Sequence, residues 1–149
     1  MKKTLSLILA LILCLSLCAC GTTSTSQFVG TYEDKYSITE YYSGWGYNNL
    51  THQISCTEVL TLNDGGTGTF ETTATSSGEY YQVGDVIEKG TVKWTDEGDY
   101  ITITFSGFRY NKDYGNNTTK PIDRTSTYEK KAGTLHSASS GTLVYTKIS

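Results

Sequence analysis

Apolar and polar residues alternate along most of the chain, with the period of two that marks half-buried strands. The clearest case is Tyr100 to Phe105, where Ile101, Ile103 and Phe105 share one face and Thr102 and Thr104 the other. Leu50 to Leu62 repeats the pattern over a longer stretch. Leu50, Ile54, Cys56, Leu60 and Leu62 share one parity, and Thr51, Gln53, Ser55, Thr57 and Thr61 the other. Glu58 and Val59 break the alternation, which predicts a bulge there. Asn63-Asp64-Gly65-Gly66 is the strongest turn signal, because glycine reaches the left-handed backbone conformations of tight hairpins. It leads into Thr67–Thr75, where Phe70, Thr72 and Ala74 align. Ser76-Ser77-Gly78 turns again, and residues 79–87 are part strand. Gly90–Trp94 puts Val92 and Trp94 inward, and Asp96-Glu97-Gly98-Asp99 makes the next hairpin. Phe28–Tyr36 opens the domain with Tyr32 and Tyr36 on one side. Residues 111–120 read as a polar loop, Arg124–Lys131 as a charged edge strand, and Gly141–Ile148 as the closing strand.

No stretch has the three-to-four-residue apolar spacing of a long amphipathic helix. The abundance of threonine, tyrosine and glycine fits strands joined by turns. The expectation is an all-β domain, a single antiparallel meander of about eight strands closing as a β-barrel, with a β-sandwich as the alternative.

The first twenty residues follow another rule. Lys2 and Lys3 precede a run of about 15 mostly apolar residues, Leu5 to Ala19, the pattern of an export signal. The run is shorter than the roughly 20 residues of a membrane-spanning helix. It ends in Leu17-Cys18-Ala19-Cys20-Gly21, which resembles the lipobox of bacterial lipoproteins. That resemblance implies cleavage before Cys20 and a diacylglycerol on its sulfur, hence stable membrane attachment. The expected organisation is a signal peptide over residues 1–19, a lipidated cysteine and polar tether over 20–27, and a β-barrel domain over 28–149. Two further segments carry a resemblance to small lipocalin-like bacterial lipoproteins. Val29-Gly30-Thr31-Tyr32 is similar to the Gly-x-Trp opening of lipocalin-like domains, with tyrosine for tryptophan. Leu60–Phe70 and Gly90-Thr91-Val92-Lys93-Trp94, the latter followed by its acidic turn and Tyr100–Phe105, resemble their hairpins.

Composition narrows the function. Losing Lys2 and Lys3 leaves 10 basic residues of 12 against 15 acidic ones, a net charge of −5, which disfavours nucleic-acid and anionic-lipid partners. Of four cysteines, only Cys56 remains a free thiol in the mature chain, so packing alone must hold the domain. Its strand parity with Ile54 and Leu60 points to a core position. His52 shares that parity and reads as a structural histidine. His136 lies in a Ser-rich loop with no third group to orient a base. The sparse cysteines and histidines predict no metal site, and no cofactor or catalytic set is expected. Asp96, Glu97 and Asp99, like Asn63 and Asp64, read as turn residues. Tyr41-Tyr42-Ser43-Gly44-Trp45-Gly46-Tyr47 is the exception to this plainness. Exposed rings supply contact area at small entropic cost. Tyr41, Tyr42, Trp45 and Tyr47 are therefore candidate contacts for a small molecule or glycan at the barrel mouth, or else a plug of core over its end. The competing expectation for the whole protein is an envelope interaction protein with a filled barrel and no ligand.

Overall fold

The computed structural model describes residues 26–44, 47–113 and 116–149. Residues 1–25, with the expected signal peptide, Cys20 and most of the expected tether, lie outside them. Eight strands follow in chain order: β1 (Gly30–Gly44), β2 (Tyr47–Asn63), β3 (Thr67–Ala74), β4 (Val86–Asp96), β5 (Tyr100–Asp113), β6 (Asn116–Lys131), β7 (Thr134–Ser137) and β8 (Leu143–Lys147). Each pairs antiparallel with the next, and β8 returns to β1, closing a barrel. This is the lipocalin-like up-and-down meander rather than the sandwich.

Turn chemistry sets the hairpins at one end. Gly65 and Gly66 both adopt positive φ, 84° and 78°, and the Asp64 carboxylate accepts a hydrogen bond from the Gly65 amide at 3.1 Å. The Trp94 indole closes that end by donating to the carbonyls of Asn63 and Thr67, at 3.1 and 3.0 Å. The main core fills the same end. Phe28, Tyr32, Leu60, Phe70, Trp94, Ile101, Ile103 and Phe105 form one buried cluster. The Phe70 and Phe105 rings meet edge to face at 5.2 Å. Each such side chain contributes about 1.5–3 kcal/mol by leaving water. A smaller cluster of Ile54, Cys56, Ala74, Tyr81 and Ile87 lies toward the other end, so Cys56 is a core residue.

Four expectations are corrected. Residues 111–113 and 116–120 are paired strand rather than loop, with Asn111 opposite Thr118 and Lys112 opposite Asn117. Polar side chains suit this pairing because backbone hydrogen bonding, which sequence polarity does not reveal, carries it. Arg124–Lys131 is not an edge strand, since β5 pairs with Arg124–Glu129 and β7 with Tyr128–Lys131. No bulge occurs at Glu58, where the β1–β2 and β2–β3 registers run straight through. Glu58 points inward and is buried, and Val59 points out. His52 is exposed, beyond the reach of the core. The four-residue strand β7 has no counterpart in the sequence pattern.

The barrel is closed unevenly. β8 touches β1 only through Tyr32–Lys147 and Glu33–Thr146, extended by backbone bonds between Thr31 and Ile148–Ser149. Because β7 and β8 are short, β1 beyond Asp34 and β6 before Thr127 have no strand neighbour on their facing sides among the described residues. A seam therefore runs up the wall between them.

β4 and β5 approach most closely where Gly90 faces Gly107. A Cβ on Gly107 would lie 2.2 Å from the Lys89 carbonyl oxygen and 2.8 Å from the Gly90 Cα. Gly107→Ala should therefore destabilise the barrel by about 1–3 kcal/mol through backbone overpacking, measured by chemical denaturation. An unchanged midpoint would show that the two strands separate freely there.

Candidate functional site

The inward positions change character halfway up the barrel. Below lie the aromatic and aliphatic residues of the core. Above, the same alternation presents Asp34 and Tyr36 from β1, Glu58 from β2, Glu88 from β4, Arg109 and Asn111 from β5, and Arg124 from β6. These side chains surround a cavity of about 710 Å³ on the seam side, within the usual 300–1,000 Å³ of small-molecule sites.

Its base is an ionic cluster. Glu58 and Glu88 are each 2 % exposed, a costly placement for a carboxylate unless every oxygen is matched. Every oxygen is. Glu58 Oε1 accepts from the Tyr145 hydroxyl. Its Oε2 accepts from Thr72 Oγ1 at 2.9 Å and faces Arg124 Nη2 at 3.5 Å. Glu88 Oε1 takes Arg109 Nε at 2.5 Å and also Arg109 Nη2. Glu88 Oε2 takes Arg124 Nη1 at 3.3 Å. Arg124 also lies over the Phe105 ring, 4.6 Å from its centroid, so one guanidinium tops the core and forms the cavity floor. Burial and the neighbouring Glu58 charge push the Tyr145 hydroxyl far above its ordinary range, fixing it as a donor. Burial similarly raises Tyr36 to about 12.

A third buried carboxylate shapes the roof. Glu40 is buried and accepts three backbone N–H bonds, from Glu79 at 2.9 Å, Tyr80 at 3.2 Å and Tyr81 at 2.9 Å. It thereby holds the β3–β4 loop down on the barrel end. A Cβ on Gly78 would collide with Ile54 Cδ1 and Glu40 Oε2, at 2.1 and 2.2 Å, so only glycine lets the loop pack this tightly. The Tyr81 hydroxyl then donates to the Tyr110 carbonyl at 2.7 Å, and Lys112 pairs with Asp85 at 2.5 Å.

The aromatic candidates fare unevenly. Tyr41 lines the cavity and is 71 % exposed. Tyr42 is half-buried and not among the cavity residues. Trp45 lies outside the described residues, and Tyr47 is described by its backbone alone, paired with Gly44 at the tip of the β1–β2 hairpin. Tyr41–Gly44 thus end β1, and Tyr47 begins β2. Besides Tyr41, the tyrosines in the cavity wall are Tyr36, Tyr80, Tyr81, Tyr128 and Tyr145, none of which the sequence offered as a ligand contact. Glu58 was the available signal: a charged residue on the apolar parity of a long strand. His136 bonds to Thr134 Oγ1 and to the Gly141 carbonyl, each at 3.0 Å, and is spent on its own hairpin.

Asp34 stands directly across from Glu58 in the β1–β2 register, with no cation paired to it among the described residues. Burial first, and the Glu58 charge second, push its carboxyl above the ordinary 3.8, against the Lys35 amide bond that lowers it. The folded state thus holds this proton more tightly than the unfolded chain does, so the residue costs stability as pH rises above about 3.8. Asp34→Asn should raise the melting temperature at pH 7 and leave it unchanged near pH 3. Melts in matched buffers check this, and an equal gain at both pH values would assign the effect to something other than charge. No family model, curated protein or solved structure matches the chain.

Proposed function

We propose that the protein is a lipid-anchored, extracytoplasmic binding protein that holds a small molecule in the upper half of its barrel. The observation that carries this reading is the cavity, walled by charged groups held by two fully matched buried carboxylates rather than filled by apolar side chains. A filled barrel, the competing reading, accounts for the lower half, where Phe70, Trp94 and Phe105 pack solid. It gives no reason to keep two buried carboxylates and two guanidiniums around empty space, since apolar replacements for such clusters are often as stable or more so.

The position of the chain's entry supports the anchoring half. Ser26–Gly30 enters at the solid end, where Phe28 joins the main core and Tyr32 Oη donates to its carbonyl at 2.9 Å. With lipid on Cys20, the intervening residues reach at most about 20 Å. The solid end then sits next to the bilayer, and the cavity and its seam lie farther out, open to ligands from the aqueous phase. The hydroxyl–carboxylate contact of Tyr145 with Glu58 lies within the buried ionic cluster and holds it together, so the reading is binding rather than catalysis.

Two measurements test the proposal. Native mass spectrometry of the full-length protein, extracted in detergent from bacterial membranes, should show a reproducible added mass that is lost on unfolding. A bare mass, with no stabilisation by a panel of small molecules, would end the binding reading. Metabolic labelling with a fatty-acid probe should mark the wild type and not Cys20→Ala, and equal labelling of both would overturn the lipid anchor.

A further inference from the structure

The unmet hydrogen-bonding groups around the cavity are mostly donors. Glu88 engages Arg109 through Nε and Nη2, which leaves Nη1 without a partner among the described residues. Arg124 directs one N–H at each carboxylate and has further N–H groups to give. Both guanidiniums are partly accessible, at 52 % for Arg109 and 40 % for Arg124, while the carboxylates behind them are 3 % exposed. A ligand entering the cavity therefore meets the arginines and not Glu58 or Glu88. Asn111 lies two residues beyond Arg109 on the same inward face of β5. Its Nδ2 is the one buried side-chain polar atom with no hydrogen-bond partner among the described residues. A buried amide N–H left unmatched costs free energy, and it calls for an acceptor in the space it faces.

We infer that the cavity receives a small carboxylate, seated on the open N–H edges of Arg109 and Arg124 and accepting from Asn111 Nδ2. This assignment rests on the binding reading above and names its ligand class. Guanidinium presents a planar fork that matches a carboxylate's two oxygens. The buried glutamates fix both forks in advance, so little side-chain freedom is lost on binding.

Charge selects among anions. Glu58, Glu88, Arg109 and Arg124 sum to zero, Glu40 and Lys112 cancel, and Asp34 leaves the wall one negative charge. The site offers directed donors without net positive potential, which suits a planar monoanion and works against a phosphate dianion. A simple amine finds only Asp34. A carboxylate that also carries an ammonium group, as an α-amino acid does, satisfies the arginines and Asp34 together and belongs to the same class.

The test is calorimetric titration and thermal melting of the detergent-extracted protein at constant ionic strength. The probes are short monocarboxylates, α-amino acids, alkylammonium ions and inorganic phosphate. The expected result is saturable binding of carboxylate-bearing probes, one per chain, with no response to alkylammonium or phosphate. Asn111 Nδ2 has no partner among the described residues, so changing this side chain leaves the ionic cluster intact. Asn111→Ala should weaken binding about tenfold, and Asn111→Asp, which puts an acceptor and a charge where the donor was, should abolish it. Arg109→Lys keeps the charge beside Glu88 and removes the fork; it should also abolish binding. Selective response to amines or phosphate, or full affinity in the Asn111 variants, overturns the assignment. A native adduct that no carboxylate displaces overturns the ligand class and leaves the binding reading standing. A bare native mass with no response to any probe removes both.

Discussion

Burying Glu58 and Glu88 inside a β-barrel is the constraint to which the upper half of this structure answers. Each carboxylate forfeits several kcal/mol of hydration, which is recovered only if all four oxygens find donors. Those donors come from every side of the barrel: Thr72 on β3, Arg109 on β5, Arg124 on β6 and Tyr145 on β8. The cluster thus ties β2 and β4 to β5, β6 and β8 across the interior, where backbone pairing links only neighbours. It does for the upper barrel what the interlocked rings of Phe70 and Phe105 do for the lower, but without filling the space.

Arg124 joins the two regimes. One face of its guanidinium lies on the Phe105 ring, which makes the arginine the last layer of the dry core. Its edges reach Glu58 and Glu88, which makes it the first layer of the polar cavity. Cation–π contact with a desolvated ring contributes about 1–2 kcal/mol, and the same contact orients the plane of the fork. The boundary between packed core and cavity is therefore one side chain thick. The short β7 and β8 explain why the cavity lies on one side. They brace the wall at Tyr128 and Tyr145, whose rings meet at 5.7 Å, and they leave the wall open above.

The lower half was legible in the sequence because alternation there coincides with hydrophobicity. Ile101, Ile103 and Phe105, Val92 and Trp94, and Leu60 and Leu62 all point inward as their parity required, and the Asn63–Gly66 turn formed where glycine allowed it. The upper half was not legible, for one physical reason. Parity tells which side chains face inward, and a reading based on apolarity treats an inward charge as an interruption. Glu58 was taken for a bulge, and Arg124 for the mark of an exposed edge. Asn111 was assigned to a loop. Each is an inward residue of a regular strand. The error was in assuming that the inside is apolar along its whole length. The partners that make these placements tolerable lie 14 residues away for Thr72–Glu58 and 87 for Tyr145–Glu58, distances that no local pattern reports.

The aromatic-rich segment from Tyr41 to Tyr47 carries the complementary lesson. It places Tyr41 on the cavity wall, yet the other wall tyrosines come from β1, the β3–β4 loop, β6 and β8. Closure of a barrel gathers residues by height and facing, not by proximity along the chain. Glu40 illustrates the consequence. It sits beside Tyr41 in sequence, but its carboxylate reaches three amides of the β3–β4 loop and so sets where Tyr80 and Tyr81 stand. The loop placed in this way carries Tyr81 to the backbone of Tyr110 and Lys112, which flank Asn111. A carboxylate on β1 thereby fixes the strand segment from which Asn111 Nδ2 faces the cavity.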